Sequence, residues 1–294
     1  MTPARCPVCS SHDLSGLPFR YVFRGRVLSA LECSDCEVIF LSPQPSAEEI
    51  RELYSREYFE HDFRCGHASS CFDPSTHSAI VDRELVARLR AGAPGERLLE
   101  VGCAGGAFLD ALRSAGFRTT GVELSEDAAR FAREHFTLDV RTGTLAGQGF
   151  PDCSFDAVVA GDVLEHLSDP VAFLTEVHRV LAPGGVLVLA CPMQTNTLYA
   201  RLGFVIYGML HRTATVRLLP YHLFEYRPSS LTRILRQCGF SVEHMQTAAI
   251  SPRDISLRGS RLENLAKKSL QYPNVLLTRW FGLFGDRVEV HARR

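Results

Sequence analysis

The sequence contains almost no lysine: among 32 basic residues, only Lys267 and Lys268 are lysines, and the rest are arginines. The 33 acidic residues bring the net charge to -1, so the chain lacks the overall positive field typical of nucleic-acid-binding proteins. No stretch reaches the roughly 18 consecutive apolar residues of a membrane span. The N-terminal stretch MTPARCPVCSS lacks the apolar core of a signal peptide. We therefore expect a soluble, globular, cytoplasmic protein without nucleic-acid partners.

The chain is long and apolar enough to bury a full hydrophobic core, with 294 residues of which 46% are hydrophobic. One large domain with a small appendage is the natural expectation. The sequence also holds ten cysteines. In a cytoplasmic protein, cysteines at these spacings favour metal binding or ordinary packing over disulfide bonds.

Two C-x-x-C pairs lie near the N-terminus, as CPVC and CSDC. Two such pairs can supply four thiolates to one structural zinc ion in a tetrahedral arrangement. The sequence between them alternates and breaks at Gly25, which is typical of a hairpin. We therefore predict a zinc-ribbon domain over residues 1–44; the alternative is two unrelated pairs of buried or redox-active cysteines. The predicted ligands of the structural Zn²⁺ are Cys6, Cys9, Cys33 and Cys36.

A second group of cysteines and histidines follows in HDFRCGHASSCFDPSTH. The spacings match no standard zinc knuckle. They favour a polar loop over the active site, with a second metal site as the alternative. The residues concerned are His61, Cys65, His67, Cys71 and His77.

The rest of the chain reads as helices followed by an alternation of strands and helices. Helices are predicted over residues 47–58 and 78–90, within a helical linker and cap of residues 45–92. From residue 93 to 294, apolar strands alternate with amphipathic helices, a pattern that predicts a mostly parallel sheet with helices on both faces. The expected fold class is a doubly wound α/β domain with seven strands and an insertion at 192–228.

The stretch RLLEVGCAGGAFLDAL places Gly102, Gly105 and Gly106 between a buried strand and a helix. Glycines at such a turn allow a ligand to approach the backbone amides and the helix N-terminus. The dinucleotide pattern G-x-G-x-x-G is broken by Ala104 and Ala107.

Two acids accompany this turn, Glu100 before its first glycine and Glu123 at the end of the next strand. A carboxylate in the second position can accept both hydroxyls of a ribose. The pair therefore favours a nucleoside ligand without pyrophosphate. The alternative is that each carboxylate only caps the helix that follows it.

These segments resemble the class I S-adenosylmethionine-dependent methyltransferases in EVGCAGG, GVEL, FDAVVAGDVLEHLSDP and EVHRVLAPGGVLVLACP. The likeness continues in YHLFEYRPSSLTRILRQCGF and is closest to small-molecule methyltransferases with an N-terminal zinc ribbon. The resemblance implies a Rossmann-like fold closed by an antiparallel strand pair, and S-adenosylmethionine as cofactor. It also implies that the cofactor is bound by Glu100, Gly102, Cys103, Ala104, Gly106, Glu123, Leu124, Gly143, Thr144, Leu145, Gly161, Asp162 and His166.

Three residues are candidates for the chemistry of methyl transfer: His166, His222 and Tyr221. Imidazole titrates near neutral pH and can take a proton from the acceptor. For His166 a packing role is equally favoured. Glu225 is a further candidate for substrate contact. In the same insertion, an apolar helix around residues 198–209 is expected to pack on the core.

We expect an S-adenosylmethionine-dependent methyltransferase that acts on a small molecule, such as a sugar, a polyketide or another secondary metabolite. The alternatives are a nucleic-acid or protein methyltransferase that grips its substrate with the ribbon, and a non-catalytic cofactor-binding scaffold. Near the C-terminus, the apolar segment 263–285 favours core packing plus a homodimer face over a membrane contact.

Overall fold

The structure is a computed structural model that describes residues 5–54, 58–62, 70–72, 83–216, 219–253 and 261–294. Cys65, His67 and His77, considered above for a second metal site, lie outside the described residues. So do residues 78–82 of the predicted second helix, while Cys71 is buried.

Twelve strands and eight α-helices make up the described part of the chain. The strands are β1 (Leu14–Phe23), β2 (Arg26–Cys33), β3 (Ile39–Ser42), β4 (Arg97–Val101), β5 (Arg118–Glu123), β6 (Val140–Thr142), β7 (Phe155–Gly161), β8 (Leu181–Pro192), β9 (Ala214–Val216), β10 (Phe224–Glu225), β11 (Ser241–Ala248) and β12 (Arg287–Arg293). The helices are α1 (Ala47–Leu53), α2 (Arg83–Gly92), α3 (Ala107–Ser114), α4 (Glu126–Phe136), α5 (Pro170–Val180), α6 (Leu198–Met209), α7 (Pro228–Gln237) and α8 (Arg261–Phe281). The first predicted helix is shorter than expected: α1 ends at Leu53, and a single π-helical turn follows at Tyr58–Asp62.

The large sheet has seven strands in the order β11-β12-β8-β7-β4-β5-β6. The five strands from β8 to β6 are parallel, and β12 and β11 close the sheet as an antiparallel pair. The predicted doubly wound α/β fold is confirmed. Strand order reverses at β4, which lies between β5 and β7, so the carboxyl ends of these three strands form the crevice in which such sheets bind ligands.

Close packing of α3 on the sheet supports the turn that precedes this helix. Leu109 and Leu112 are fully buried in a cluster with Leu98. A Cβ at Gly121 on β5 would lie 2.8 Å from both Cys103 Sγ and Leu109 Cδ2, so only glycine allows the helix and its leading turn to sit this close.

A second sheet joins the N-terminal region to the insertion. Its order is β10-β3-β2-β1-β9, in which β1 and β2 form the predicted hairpin, with Gly25 in the turn at φ +74°. The insertion supplies both edges: β9 pairs with β1 in parallel, and β10 pairs with β3 antiparallel. Cys36 and Phe40 of the N-terminal region also share one hydrophobic cluster with Leu164 of the large domain. The N-terminal region is therefore built into the insertion and the main core.

The expectation that the apolar residues of α6 pack on the core is wrong. Leu202, Val205, Ile206 and Met209 are exposed, Met209 by 77%. The opposite side of α6 contacts the second sheet, where Phe204 stacks on Phe19 with 5.5 Å between ring centroids. None of the described helices combines the length and apolar character needed to cross a bilayer.

We predict that Leu109→Ala lowers the free energy of unfolding by about 3 kcal/mol, because it leaves a cavity beneath the turn. Leu202→Ala is the matched control on an exposed helix position and should change stability by no more than about 0.5 kcal/mol. Urea unfolding followed by circular dichroism measures both values. Equal losses in the two variants would contradict the packing described for α3.

Candidate functional site

The turn between β4 and α3 runs through three left-handed residues. Gly102, Ala104 and Gly106 have φ of +73°, +47° and +83°. Ala104 adopts the left-handed conformation although it has a Cβ atom, which makes its conformational energy modestly higher than that of a glycine at this position. At Gly105 a Cβ would lie 2.4 Å from the carbonyl oxygen of Cys71, so the 70–72 segment covers the turn closely. The backbone amides of the turn are thus held in a tight, partly covered bend.

Glu123 fastens this turn to the neighbouring strand. Its carboxylate accepts hydrogen bonds from the backbone N–H of Ala104 at 2.9 Å and of Ser125 at 2.8 Å. The second bond is the helix-capping contact considered from the sequence, and the first holds the glycine turn. The residue is buried at the carboxyl end of β5, where a ligand's sugar would meet it.

Glu100 is buried beside the same turn without capping a helix. The N-cap of α3 is Gly106, which makes no side-chain hydrogen bond, so the capping alternative for Glu100 is not seen. Glu100 Oε2 has no hydrogen-bond partner. Burial, and secondarily the charge of Glu123, raises the pKa of Glu100 to about 8. A buried carboxyl with an unsatisfied oxygen suits a ligand that brings a hydrogen-bond donor or a positive charge.

The other residues predicted to bind the cofactor also lie at this edge of the sheet. Gly143 has φ +125° and donates its N–H to the carbonyl of Glu123 at 2.8 Å. Leu145 is buried and Leu124 is half-buried. After β7, Gly161 leads into Asp162, whose carboxylate forms an ion pair with Arg287 at 2.7 Å. Cys103 is buried, and Thr144 belongs to the short loop that follows β6.

The three candidates for chemistry are brought together, although His166 and the other two are 55 residues apart or more in sequence. His166 Nδ1 lies 2.7 Å from the carbonyl oxygen of Tyr221. The rings of His166 and His222 are 5.0 Å apart between centroids. Tyr221 contributes its backbone carbonyl to this contact, while its ring lies 5.0 Å from that of Tyr58.

Two features of this cluster were missed from the sequence. Tyr54, at the end of α1, places its hydroxyl 2.6 Å from His166 Nδ1 across 112 residues of sequence, a contact that no local pattern indicates. Glu165 is fully buried, and neither of its carboxylate oxygens has a hydrogen-bond partner. Its Oε1 lies 3.5 Å from His166 Nε2. An acid inside the apolar run VLEHL was the available signal for Glu165.

Burial sets the protonation of this cluster. Desolvation lowers the pKa of His166, and desolvation together with the neighbouring His166 lowers the pKa of His222 to about 3. Desolvation raises the pKa of Glu165 well above its usual range. Both imidazoles are therefore neutral at pH 7 and can accept a proton. Ligand atoms of Glu165, His166 and His222 also lie within 4.8 Å of one another, close enough for the three side chains to hold one metal ion.

Glu225, considered for substrate contact, is engaged inside the protein. Its Oε2 accepts the N–H of Thr195 at 2.9 Å, and burial raises its pKa to about 7. The side chain thus ties the start of the insertion to β10.

The four N-terminal cysteines form one cluster. Cys6 Sγ lies 3.5 Å from Cys36 Sγ, and Cys9 Sγ lies 3.5 Å from Cys33 Sγ. All four sulfur atoms lie within 4.8 Å of one another. A tetrahedral zinc site with Zn–S bonds of about 2.3 Å separates its sulfurs by about 3.8 Å, so the four thiols fit a Zn²⁺ ion.

Comparison with known proteins agrees with this architecture. A "Probable S-adenosylmethionine-dependent methyltransferase" of Mycolicibacterium smegmatis is 32% identical over 157 residues, which are 53% of this chain and 56% of that protein. This chain therefore spans little more than half the length of that relative. A ubiquinone biosynthesis O-methyltransferase of Aromatoleum aromaticum is 28% identical over 174 residues, covering 55% of this chain and 71% of the relative.

Among solved structures, the [4+2]-cyclase SpnF aligns with a TM-score of 0.53 at 18% identity, over 85% of this chain and 96% of its own. At this identity the likeness concerns the fold, and the cyclase shows that the fold alone does not define a reaction. A family model described as a methyltransferase domain matches residues 78–245. That range holds the glycine turn, both buried carboxylates beside it and the loop of His166, and it extends over more than half of the sequence, so the chain belongs to the methyltransferase domain family.

Proposed function

We propose that this protein is an S-adenosylmethionine-dependent methyltransferase whose acceptor is a small molecule. The observation that carries the proposal is the pair of buried carboxylates at the switch point of the sheet. Glu123 accepts hydrogen bonds from the N–H of Ala104 in the turn and of Ser125 at the start of α4, and Glu100 keeps one oxygen unsatisfied beside the turn. The family match and the relatives named as methyltransferases support this reading.

The chain's own residues would share the work of binding the cofactor. Glu123 presents a carboxylate to the ribose hydroxyls, and Leu124 offers an apolar surface to the adenine. Glu100, with a pKa near 8, would lose its proton when a cation comes close, because a positive neighbour favours the carboxylate. When bound, S-adenosylmethionine supplies a methyl group activated by the adjacent sulfonium.

His166 and His222 are placed to take a proton from the acceptor. If His166 Nδ1 carries the hydrogen, it donates to the carbonyl of Tyr221, and Nε2 keeps its lone pair on the side of Glu165. Tyr54 and Tyr58 stand against His166 and Tyr221 as an aromatic wall, with ring centroids 5.0 to 6.3 Å apart. Positioning the acceptor and excluding water are the main requirements of an in-line transfer, and this enclosed cluster favours a small acceptor.

The ribbon offers little to a nucleic acid. Arg26 forms an ion pair with Glu49 at 2.5 Å, and Arg24 pairs with Glu52. Arg20 donates to Thr215 Oγ1 at 3.3 Å. These arginines are engaged with the protein, which weighs against a phosphate-binding stripe and thus against a nucleic-acid methyltransferase.

We further propose that Cys6, Cys9, Cys33 and Cys36 hold a structural Zn²⁺ ion with a closed ligand shell. The ion would fix the hairpin of β1 and β2, and through it the two strands that the insertion adds to that sheet. The ion would thereby help to keep the aromatic wall of the proposed acceptor site in place.

Glu123→Gln should weaken S-adenosylmethionine binding by about 10- to 100-fold, because the amide loses the charge and one of the acceptor positions. Isothermal titration calorimetry with S-adenosylmethionine and S-adenosylhomocysteine measures the effect. Glu134→Gln, on the exposed side of α4, is the control and should bind as the wild type does. A wild-type protein that binds neither compound would overturn the proposed function.

Replacing His166 or His222 with alanine should lower turnover by about 10² to 10⁴ for the one that accepts the proton. His222→Ala should also leave cofactor affinity nearly intact, because His222 is not among the predicted cofactor-binding residues. Transfer of a labelled methyl group to a panel of phenols, catechols and nucleotide-linked sugars measures turnover. His12→Ala, at an exposed ribbon position, is the control.

The pH dependence of the same assay follows from the lowered pKa values of both histidines. A general base with a lowered pKa stays neutral into acid. If His166 is the base, kcat/KM should hold to a pH below the usual imidazole pKa of about 6.5; if His222 is the base, it should hold until about pH 3. Full activity in both the His166→Ala and the His222→Ala variant would show that neither histidine is the general base.

The purified protein should contain one zinc ion per chain, measured by inductively coupled plasma mass spectrometry. Cys33→Ser should lose the metal, and the thermal transition of the whole protein should fall with it because the ribbon shares the main core. Cys153→Ser, at a half-buried cysteine outside the ribbon, should keep its zinc. Retention of zinc in the Cys33→Ser variant would contradict the four-thiolate site.

A further inference from the structure

Helix α8 buries a polar face and exposes an apolar one. The residues it buries are Gln271, Asn274 and Thr278. Helices of soluble proteins usually bury an apolar stripe and expose the polar side. The reversal in α8 indicates that something other than the protein core covers its apolar side.

Hydrogen bonds hold the helix in this orientation. Asn274 Oδ1 accepts the N–H of Leu198 at 2.9 Å, and Gln271 Nε2 donates to the carbonyl of Ile250 at 2.7 Å. Thr278 Oγ1 lies 2.7 Å from the carbonyl oxygen of Leu283. Rotating the helix to bury its apolar side would break these buried contacts, so the outward direction of the apolar side is built into the fold.

The exposed side of α8 carries an apolar row that is interrupted once, at Ser269. Positions 262, 265, 269, 272, 276 and 280 follow one another at steps of three or four, so they lie on one face of the helix. Leu262 is 80% exposed and Trp280 is 70% exposed. Apart from Ser269, every position in the row is apolar or aromatic: Leu262, Leu265, Tyr272, Leu276 and Trp280.

A basic row runs along one side of this apolar row. Arg261, Lys268 and Arg279 are exposed and are separated by 7 and 11 residues, which places them on nearly the same side of the helix. An apolar row flanked by basic residues, with tyrosine and tryptophan in it, is the pattern of a helix that lies in a bilayer interface.

The neighbouring helix extends the same chemistry. Helix α6 begins at the Leu198 amide held by Asn274, and it exposes Leu202, Val205, Ile206 and Met209. Together, residues 198–216 and 261–283 contain six basic residues and one acidic residue, a net charge of +5 in a chain whose total is -1. The two exposed apolar helices therefore lie in a region of net positive charge within a chain that is nearly neutral overall.

The net positive charge of the α6–α8 face distinguishes between two possible binding partners, a second copy of the chain and a lipid bilayer. A second copy docked through the same face would bring +5 against +5, since a two-fold interface pairs a surface with itself. An anionic bilayer has an apolar interior and negatively charged headgroups. The interior is complementary to the apolar row of α8, and the headgroups are complementary to its basic row. We propose that the α6–α8 face binds peripherally to anionic lipid bilayers, with Trp280 and the leucines of α8 in the interface and the basic row at the headgroups.

Trp280 is the only tryptophan, so its fluorescence reports on this face alone. The 294-residue protein, purified in the presence of zinc, is mixed with vesicles of phosphatidylcholine, or of phosphatidylcholine with phosphatidylglycerol. We expect Trp280 emission to shift to the blue and the protein to sediment with the anionic vesicles only. High salt should weaken the binding because the headgroup attraction is screened.

Two double variants test the basic row and the apolar row of α8 separately. The double variant Lys268→Glu, Arg279→Glu should weaken partitioning into anionic vesicles by about tenfold or more, and Leu265→Ser, Leu276→Ser should remove the blue shift. The matched controls are Arg236→Glu on α7 and Val22→Ser on the ribbon, both at exposed positions. All four should bind S-adenosylmethionine as the wild type does, which separates this inference from the proposed function.

Three results would overturn the proposal. The first is absence of binding to either kind of vesicle, and the second is equal binding to neutral and anionic vesicles. The third is a blue shift that appears without lipid as protein concentration rises, with a dimer in sedimentation velocity, which would assign the face to a second copy.

Discussion

The Glu123 carboxylate holds together the part of the molecule on which the rest of the site depends. It joins the end of β5 to the turn after β4 and to the first turn of α4, through the N–H groups of Ala104 and Ser125. Because Leu109 of α3 packs closely against Gly121, the turn before α3 lies within hydrogen-bonding distance of that carboxylate. Since the turn after β4, the end of β5 and the N-terminus of α4 share this one carboxylate, a change in any of them alters the others.

The sequence predicted most of the fold because its signals are local. Alternating strands and helices, the glycine turn and the two C-x-x-C pairs are each readable within a short window. Contacts between distant segments were not readable in this way: Tyr54 reaches His166 across 112 residues, and β9 pairs with β1 from nearly 200 residues away. The orientation of α6 was misjudged because apolar spacing identifies a helix face without showing what covers it.

Burial of ionisable groups is the recurring electrostatic feature of the site. Glu100, Glu165 and Glu225 all have raised pKa values, and the two histidines beside Glu165 have lowered ones, each with desolvation as the main cause. Raised carboxyl pKa values and lowered imidazole pKa values both favour the neutral forms of these groups, so burial reduces the charge of the site. The protein thereby keeps proton-accepting groups in an interior that would not tolerate fixed charges.

The sheet shared by the N-terminal region and the insertion makes two distant segments of the chain depend on each other. Its two outer strands come from one stretch of the chain and its three inner strands from another, about 170 residues earlier. Neither stretch can complete its hydrogen bonding alone, since loss of either leaves bare edges. A substitution in either stretch must therefore preserve the strand pairing with the other, however far apart the two lie in the sequence.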